Sequence, residues 1–216
     1  MSAPQNDLGP GEETHHSPAE VEPTDRGYRL LETWNPPRWV LVTLFAAGGV
    51  LAVVTLVAYG WNHPSAYVAA VFVAVAPILT AIDFAERRLP DVVTLPAAGA
   101  SVVALVVGAL VSGDWGPALR GGAGMLILFA AFFVMFIIAG GAFGFGDVKL
   151  GLSMGAVLGT YSWFALLLGP FIGMLLGFAV GVVLMIMRKA TMKTAIALGP
   201  YLIIGTLVII VFGTLG

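Results

Sequence analysis

Two aspartates at the ends of apolar segments are the residues of this sequence best suited to chemistry. Asp83 closes the apolar run 69–82, and Asp147 follows a Gly-Phe-Gly tripeptide at the start of another apolar stretch. An ionisable side chain at membrane depth is costly, so its default interpretation is functional. Two carboxylates at the same face of a membrane could share one proton and activate a water molecule.

The composition indicates an integral membrane protein. Of the 216 residues, 59% are hydrophobic and 10% are charged, and the mean hydropathy is +0.97. Several apolar runs reach the roughly 18 residues expected of a transmembrane helix. The chain has no cysteine, which excludes disulfides, thiolate metal sites and cysteine nucleophiles. No basic patch predicts nucleic-acid binding, and the three histidines form no pattern that predicts a metal site.

The start of the chain differs in composition from the rest. Residues 1–37 are rich in Pro, Glu, Gly, Ser and Thr and poor in large apolar residues, which is typical of disorder. They lack the basic start and apolar stretch of a signal peptide. We therefore expect a disordered cytoplasmic tail over residues 1–37 and a membrane-embedded domain over residues 38–216.

Apolar segments after the tail predict an all-α fold, a polytopic transmembrane bundle of about seven helices. The predicted bounds are residues 39–60, 65–83, 92–112, 121–142, 147–161, 164–187 and 195–215. The fifth segment is short for a full span at about 1.5 Å per residue. Its glycine-flanked start is therefore expected to lie in protein or water rather than in lipid.

The distribution of Lys and Arg predicts the orientation of the bundle. With seven spans, nine of the 10 basic residues fall on one side: Arg26, Arg29, Arg38, Arg87, Arg88, Lys149, Arg188, Lys189 and Lys193. Arg120 is the exception. Because basic residues accumulate in cytoplasmic loops, we expect a cytoplasmic N-terminus and an external C-terminus. Asp83 and Asp147 then both lie at the cytoplasmic face.

Glycines recur every fourth residue in the fifth and sixth segments, and such spacing lets helix backbones approach closely. These glycines are Gly151, Gly155 and Gly159, followed by Gly169, Gly173, Gly177 and Gly181. A dimerisation face would show the same pattern. For a chain with several spans, packing between its own helices is the favoured interpretation.

The candidate site residues also have plain structural interpretations. Asp91 follows Pro90, which can open a helix, so its carboxylate fits a helix cap better than a catalytic group. The Gly-x-Gly turn before Asp147 could be a glycine-rich turn with a capping aspartate. Alternatively, it could be backbone on which an extended peptide pairs. The four-residue motif alone does not separate these two interpretations.

The two aspartate segments together resemble the prepilin (type IV leader) peptidase family, membrane-embedded aspartic proteases with a Gly-x-Gly-Asp motif. Asp83 with Leu89-Pro90-Asp91 is similar to the family's first catalytic segment, and residues 144–150, Gly-Phe-Gly-Asp-Val-Lys-Leu, to its second. Residues 199–202, Gly-Pro-Tyr-Leu, are similar to a third segment. The resemblance covers about residues 65–215, a six-helix peptidase core. The first span has no counterpart in minimal members.

This resemblance implies an aspartic endopeptidase that removes the N-terminal leader from prepilin-like or pseudopilin-like proteins. The expected location is the cytoplasmic face of a prokaryotic inner membrane, with the substrate and the lipid bilayer as partners and no metal, cofactor or nucleic acid. Asp83 and Asp147 would be catalytic. Residues expected to bind substrate or support the motifs are Pro90, Asp91, Gly144, Gly146, Lys149, Gly199 and Pro200.

Departures from the family affect the expected activity. Many bacterial members carry an N-terminal cytoplasmic domain with paired cysteines, associated with methylation of the new N-terminus. This chain has no cysteine, and no folded domain is expected before Trp39. We therefore expect a peptidase without N-methyltransferase activity. The residues before Gly199 also differ from the Pro-Phe pair expected of the family, which leaves a substrate contact by this segment open.

Other functional classes remain as alternatives. A small transporter or channel that uses Asp83 and Asp147 would need polar residues along several helices, and the spans are almost wholly apolar. A non-catalytic scaffold of a pilus or secretion machine would not require both aspartates. A related peptidase that cuts archaeal-flagellin-type signal segments is not separated from prepilin cleavage by the sequence.

Overall fold

The computed structural model describes residues 36–87, 89–139, 143–188 and 197–215, which form helices and no strand. The helices are α1 (Arg38–Tyr59), α2 (Ala66–Glu86), α3 (Asp91–Ser112), α4 (Gly116–Ile138), α5 (Phe145–Tyr161), α6 (Trp163–Ile186) and α7 (Gly199–Leu215). The predicted all-α bundle of about seven helices is confirmed. Nearly all of the predicted disordered tail lies outside the described residues.

Five helices, α1, α2, α3, α4 and α6, are long and apolar enough to cross a membrane. The protein is therefore a multi-pass membrane protein. The other two helices, α5 and α7, have 17 residues each. At about 1.5 Å per residue, each extends about 25 Å, so the short fifth segment of the sequence is a short helix in the fold.

Helix ends near the two aspartates differ from the predicted bounds. Helix α2 continues to Glu86, three residues beyond the predicted end, so Asp83 lies inside its last turn. The chain then leaves the helix at Arg87 in the left-handed conformation, with φ of 53°. Helix α5 begins at Phe145, which places Asp147 in its first turn. Both aspartates are thus held by helical backbone.

The start of α4 also differs from the prediction. The helix begins at Gly116, five residues before the predicted start at residue 121. Pro117 lies in its first turn, where the missing N–H costs nothing and the fixed φ suits a helix. The apolar pattern placed this boundary too late because it ignores helix-starting residues.

Helix α5 forms the centre of the bundle. It contacts α2, α3, α4, α6 and α7, and most of its residues are buried, with Met154, Val157 and Leu158 fully enclosed. Helix α1 lies at the periphery and packs mainly against α2. The helix that carries Asp147 is therefore fixed from several sides by the fold.

Glycines allow the central helices to touch backbone to backbone. A Cβ added to Gly155 of α5 would lie 2.2 Å from the carbonyl oxygen of Gly124 in α4. A Cβ added to Gly173 of α6 would lie 2.7 Å from the Cα of Leu202 in α7. These distances leave no room for any side chain. The glycine spacing therefore serves packing within the chain, as the sequence favoured.

Candidate active site

Asp83 is buried between the end of α2 and the start of α7, with 4% of its surface exposed. The backbone N–H of Gly199 is hydrogen-bonded to its carboxylate. A Cβ at Gly199 would lie only 2.7 Å from Asp83 Oδ2. Glycine is therefore required at position 199 for the start of α7 to approach the carboxylate this closely.

Asp147 lies in the first turn of α5 and is 8% exposed. Gly144 is the residue that precedes the helix, and its backbone N–H is hydrogen-bonded to the Asp147 carboxylate. Gly146 packs against the segment between α2 and α3, where an added Cβ would lie 2.8 Å from the Cβ of Leu89. The two glycines of the motif thus orient Asp147 and fit its turn against the segment that follows Asp83.

Both carboxylates line one cavity of about 460 Å³. They are close enough for the charge of Asp83 to act on Asp147. Within the described part of the chain, Asp83 Oδ2 is buried without a hydrogen-bond partner. Buried polar atoms are rarely left unpaired, so this oxygen is free to bind a proton, a water molecule or a substrate. The remaining lining residues are Arg87, Leu89, Asp91, Phe136, Phe143, Gly144, Phe145, Gly146 and Lys149.

An ion pair lies in the wall of this cavity. Lys149 of α5 is hydrogen-bonded to Asp91, the first residue of α3, and its Nζ lies 4.7 Å from the ring centroid of Phe145. Asp91 makes no side-chain cap, and Pro90 occupies the capping position of α3. The interpretation of Asp91 as a helix cap was therefore wrong, because a partner on another helix takes its carboxylate.

The structure brings most of the predicted site residues together. Those that line the cavity are Asp83, Asp91, Gly144, Gly146, Asp147 and Lys149. The others do not line it. Pro90 lies between the lining residues Leu89 and Asp91, Gly199 contacts Asp83, and Pro200 follows Gly199 in α7.

Five lining residues were not among the predicted site residues: Arg87, Leu89, Phe136, Phe143 and Phe145. Leu89 and Phe145 belong to the two motif segments that carried the family resemblance. Arg87 was assigned only to membrane orientation, and its position next to the site follows from the left-handed turn that ends α2. Phe136 and Phe143 gave no signal, because phenylalanine is common throughout the apolar segments. In the described ranges, no three His, Asp or Glu side chains gather into a group that could hold a metal ion.

The arrangement is suited to hydrolysis by acid and base catalysis. A buried pair of nearby carboxylates favours the state that carries one proton, because both cannot easily be charged together. The ionised member can accept a proton from water, and the protonated member can donate a hydrogen bond to a carbonyl group. A cavity beside both carboxylates provides space for the two reactants.

Comparisons with known proteins agree with this chemistry. The model of the type IV leader peptidase family matches residues 70–215. A prepilin leader peptidase/N-methyltransferase of Aeromonas hydrophila is 33% identical over 178 residues, which cover 82% of this chain and 59% of that protein. The protein of the same name from Aeromonas salmonicida is 32% identical over 178 residues, with 82% and 58% covered.

A third protein with this name, from Pseudomonas aeruginosa, is 33% identical over 137 residues, which cover 62% of this chain and 46% of that protein. The chain thus spans less than three fifths of the length of these curated relatives. No solved structure gives a significant match. The family match extends over both aspartate segments and α7, and the chain belongs to the type IV leader peptidase family.

Proposed function

We propose that this protein is a membrane-embedded aspartic endopeptidase that removes the N-terminal leader from prepilin-like or pseudopilin-like proteins. The observation that carries the proposal is the single cavity lined by both Asp83 and Asp147. Family membership and the names of the relatives support the substrate class. The proposed location is the cytoplasmic face of a prokaryotic inner membrane.

The two carboxylates divide the work of hydrolysis. The ionised one takes a proton from a water molecule as its oxygen attacks the scissile carbonyl carbon. The protonated one donates a hydrogen bond to the carbonyl oxygen and stabilises the tetrahedral intermediate. That intermediate collapses when the carbon–nitrogen bond breaks and the leaving nitrogen receives a proton. The products are the carboxylate of the leader and the free amine of the mature protein.

The start of α5 supplies further groups for the reaction. Phe145 and Gly146 lie in its first turn and line the cavity. Backbone N–H groups in a first helical turn have no partner inside the helix. They can therefore donate to a peptide carbonyl placed beside Asp147. Pairing of an extended peptide with this backbone, considered from the sequence, stays a second possibility.

Isosteric substitutions test the proposed pair. Asp83→Asn and Asp147→Asn keep the shape of the side chain and remove its acid and base chemistry, so each should lower cleavage of a prepilin about 100-fold or more. The measurement is the rate of leader removal in membranes that hold equal amounts of each variant. Asp114→Asn, in the exposed turn before α4, is the matched control. Near wild-type cleavage by either site variant would remove the pair from the mechanism.

The orientation can be tested separately. The distribution of basic residues supports a cytoplasmic N-terminus. Alkaline phosphatase fused after Ser65 or Trp115 should then be active, and fusions after Arg88 or Lys189 should be inactive. The opposite pattern would place both carboxylates outside the cytoplasmic face.

Methyl transfer is not part of the proposed activity, because the chain has none of the cysteines associated with it in the family. Mass spectrometry of pilin processed by the purified protein with S-adenosylmethionine should find an unmodified N-terminus. A methylated product that requires only this protein would contradict this part of the proposal.

A further inference from the structure

The ion pair between Asp91 and Lys149 connects two helix starts at the cavity. Asp91 is the first residue of α3, and Lys149 lies two residues after Asp147 in α5. The Lys149 side chain is 14% exposed, whereas that of Asp91 is 61% exposed. The contact thus joins a largely enclosed cation to a carboxylate at the rim.

Stability does not explain this contact. A partly exposed ion pair contributes only about 0–1 kcal/mol. Asp91 lies in the first turn of α3, where the helix dipole favours a carboxylate, and this effect does not require a partner on α5. Any functional role of the ion pair must therefore come from the two segments that it connects, the start of α3 and the start of α5.

Two contacts hold the first turn of α5 against the segment that follows Asp83. Gly146 packs on Leu89, and Lys149 is paired with Asp91. Leu89 and Asp91 both follow the last turn of α2. The distance between the two carboxylates therefore depends on these contacts, one on each side of Asp147.

The contacts found for the Lys149 ammonium group are with groups other than the two catalytic carboxylates. Its Nζ contacts Asp91 and the face of Phe145. Other charged groups that line the cavity are Asp83, Asp147 and Arg87. No ion pair joins Lys149 to Asp83 or Asp147 among the described residues.

We infer that the Asp91–Lys149 ion pair is a positioning device that holds Asp147 at the separation from Asp83 at which the two carboxylates share one proton. The inference rests on the proposed peptidase function. On this inference, Lys149 and Asp91 affect catalysis by positioning Asp147, and they do not contact the substrate.

Loss of the Asp91–Lys149 ion pair should change the way in which the cleavage rate depends on pH. Coupling between two carboxylates widens the pH range in which the pair carries one proton. If the first turn of α5 moves away, the coupling weakens and this range narrows. A variant that merely unfolds more easily would lose active enzyme and keep the width of the pH profile.

The experiment compares single substitutions with an exchange of the two charges. Asp91→Asn and Lys149→Met should each lower kcat for prepilin cleavage about 10- to 100-fold, because small displacements of catalytic groups are costly. KM should change little, and the active pH range should narrow. The exchange of Asp91→Lys with Lys149→Asp should recover much of kcat and the wider pH range. Asp114→Asn is the control.

A covalent cross-link between positions 91 and 149 separates the effect of their proximity from the effect of their charges. Because the chain has no cysteine, the double variant Asp91→Cys with Lys149→Cys can be joined selectively by a short bifunctional thiol reagent. We expect efficient cross-linking in the purified protein and higher kcat after it than before. The yield of cross-linked protein tests whether residues 91 and 149 lie close together, and it does not depend on activity. If the protein cleaved no prepilin, only the proposed function would be rejected.

Two results would overturn the inference. The first is wild-type kcat and an unchanged pH range in both single variants. The second is a kcat that remains as low in the exchanged and cross-linked proteins as in the single variants. The second result would show that Lys149 acts through its own charge.

Discussion

The tyrosine pair at one end of the bundle and the carboxylate pair at the other end differ in their hydrogen bonding. At one end, the Tyr59 hydroxyl donates to the carbonyl oxygen of Ile210 at 2.6 Å and is also hydrogen-bonded to the Tyr161 hydroxyl. These bonds tie α1, α5 and α7 together. At the other end, Asp83 and Asp147 line an open cavity, and one Asp83 oxygen has no partner in the described chain. Satisfied polar groups stabilise a fold, whereas unsatisfied ones remain available for chemistry.

The largest expected effect is at Asp83, where a substitution should lower activity without lowering stability. Asp83→Asn should lower prepilin cleavage about 100-fold or more and leave the free energy of unfolding unchanged or raised by about 1 kcal/mol, because a neutral amide is less costly to bury than a carboxylate that can ionise. Thermal unfolding in detergent, followed by tryptophan fluorescence, gives the stability. A clear drop in unfolding temperature would mean that Asp83 supports the fold as the tyrosines do.

The next largest effect concerns the glycine behind Asp83. Gly199→Ala places a methyl group 2.7 Å from Asp83 Oδ2, so the carboxylate must shift and cleavage should fall about 10- to 100-fold. Gly99→Ala in α3 is the control, because nothing lies within 4 Å of the added methyl group. Equal cleavage rates for the two variants would show that the contact with α7 does not set the position of Asp83.

A pair of adjacent glycines in α1 tests packing away from the cavity. Gly48→Ala would bring its methyl group 2.1 Å from the carbonyl oxygen of Ala74, whereas Gly49→Ala meets nothing within 4 Å. We expect Gly48→Ala to cost about 1–3 kcal/mol of stability through overpacking. Gly49→Ala should gain about 0.5–1 kcal/mol from helix propensity. Chemical denaturation of the two proteins measures the difference, and similar stabilities would contradict the α1–α2 contact.

The smallest expected effect lies at the tyrosine end. Tyr161→Phe removes one hydrogen bond to Tyr59 and should cost about 1 kcal/mol of stability. Cleavage of a prepilin should proceed at the wild-type rate, because the change is far along α5 from Asp147. Slower cleavage at unchanged stability would show that the two ends are coupled.

The sequence predicted the helices well and the site in part. Apolar runs located the spans, because membrane helices need long apolar stretches. Motif resemblance and the Lys and Arg pattern placed Asp83 and Asp147 together, and they line one cavity. The cytoplasmic location of that cavity stays a prediction.

Contacts between distant parts of the chain could not be predicted in the same way. Local pattern favoured Asp91 as a helix cap, but Lys149, 58 residues later, binds its carboxylate. The approach of Gly199 to Asp83 depends on how α7 packs against α2, and no periodicity in either helix encodes it. Such details follow from tertiary packing, which overrides the local preference of a residue.

The short α5 is a reason to expect that the thickness of the membrane affects the reaction. Its 17 residues extend about 25 Å, whereas the hydrocarbon core of a bilayer is about 30 Å thick. Because α5 is enclosed by the longer helices α2, α3, α4 and α6, we expect its Asp147 end to lie below the bilayer surface. We therefore expect cleavage to slow in vesicles of increasing acyl-chain length, as water reaches the carboxylates less readily. A rate independent of chain length would show that the surrounding helices isolate the site from the lipid. A rate that falls with chain length would mean that the fatty-acid composition of the membrane regulates the proposed cleavage.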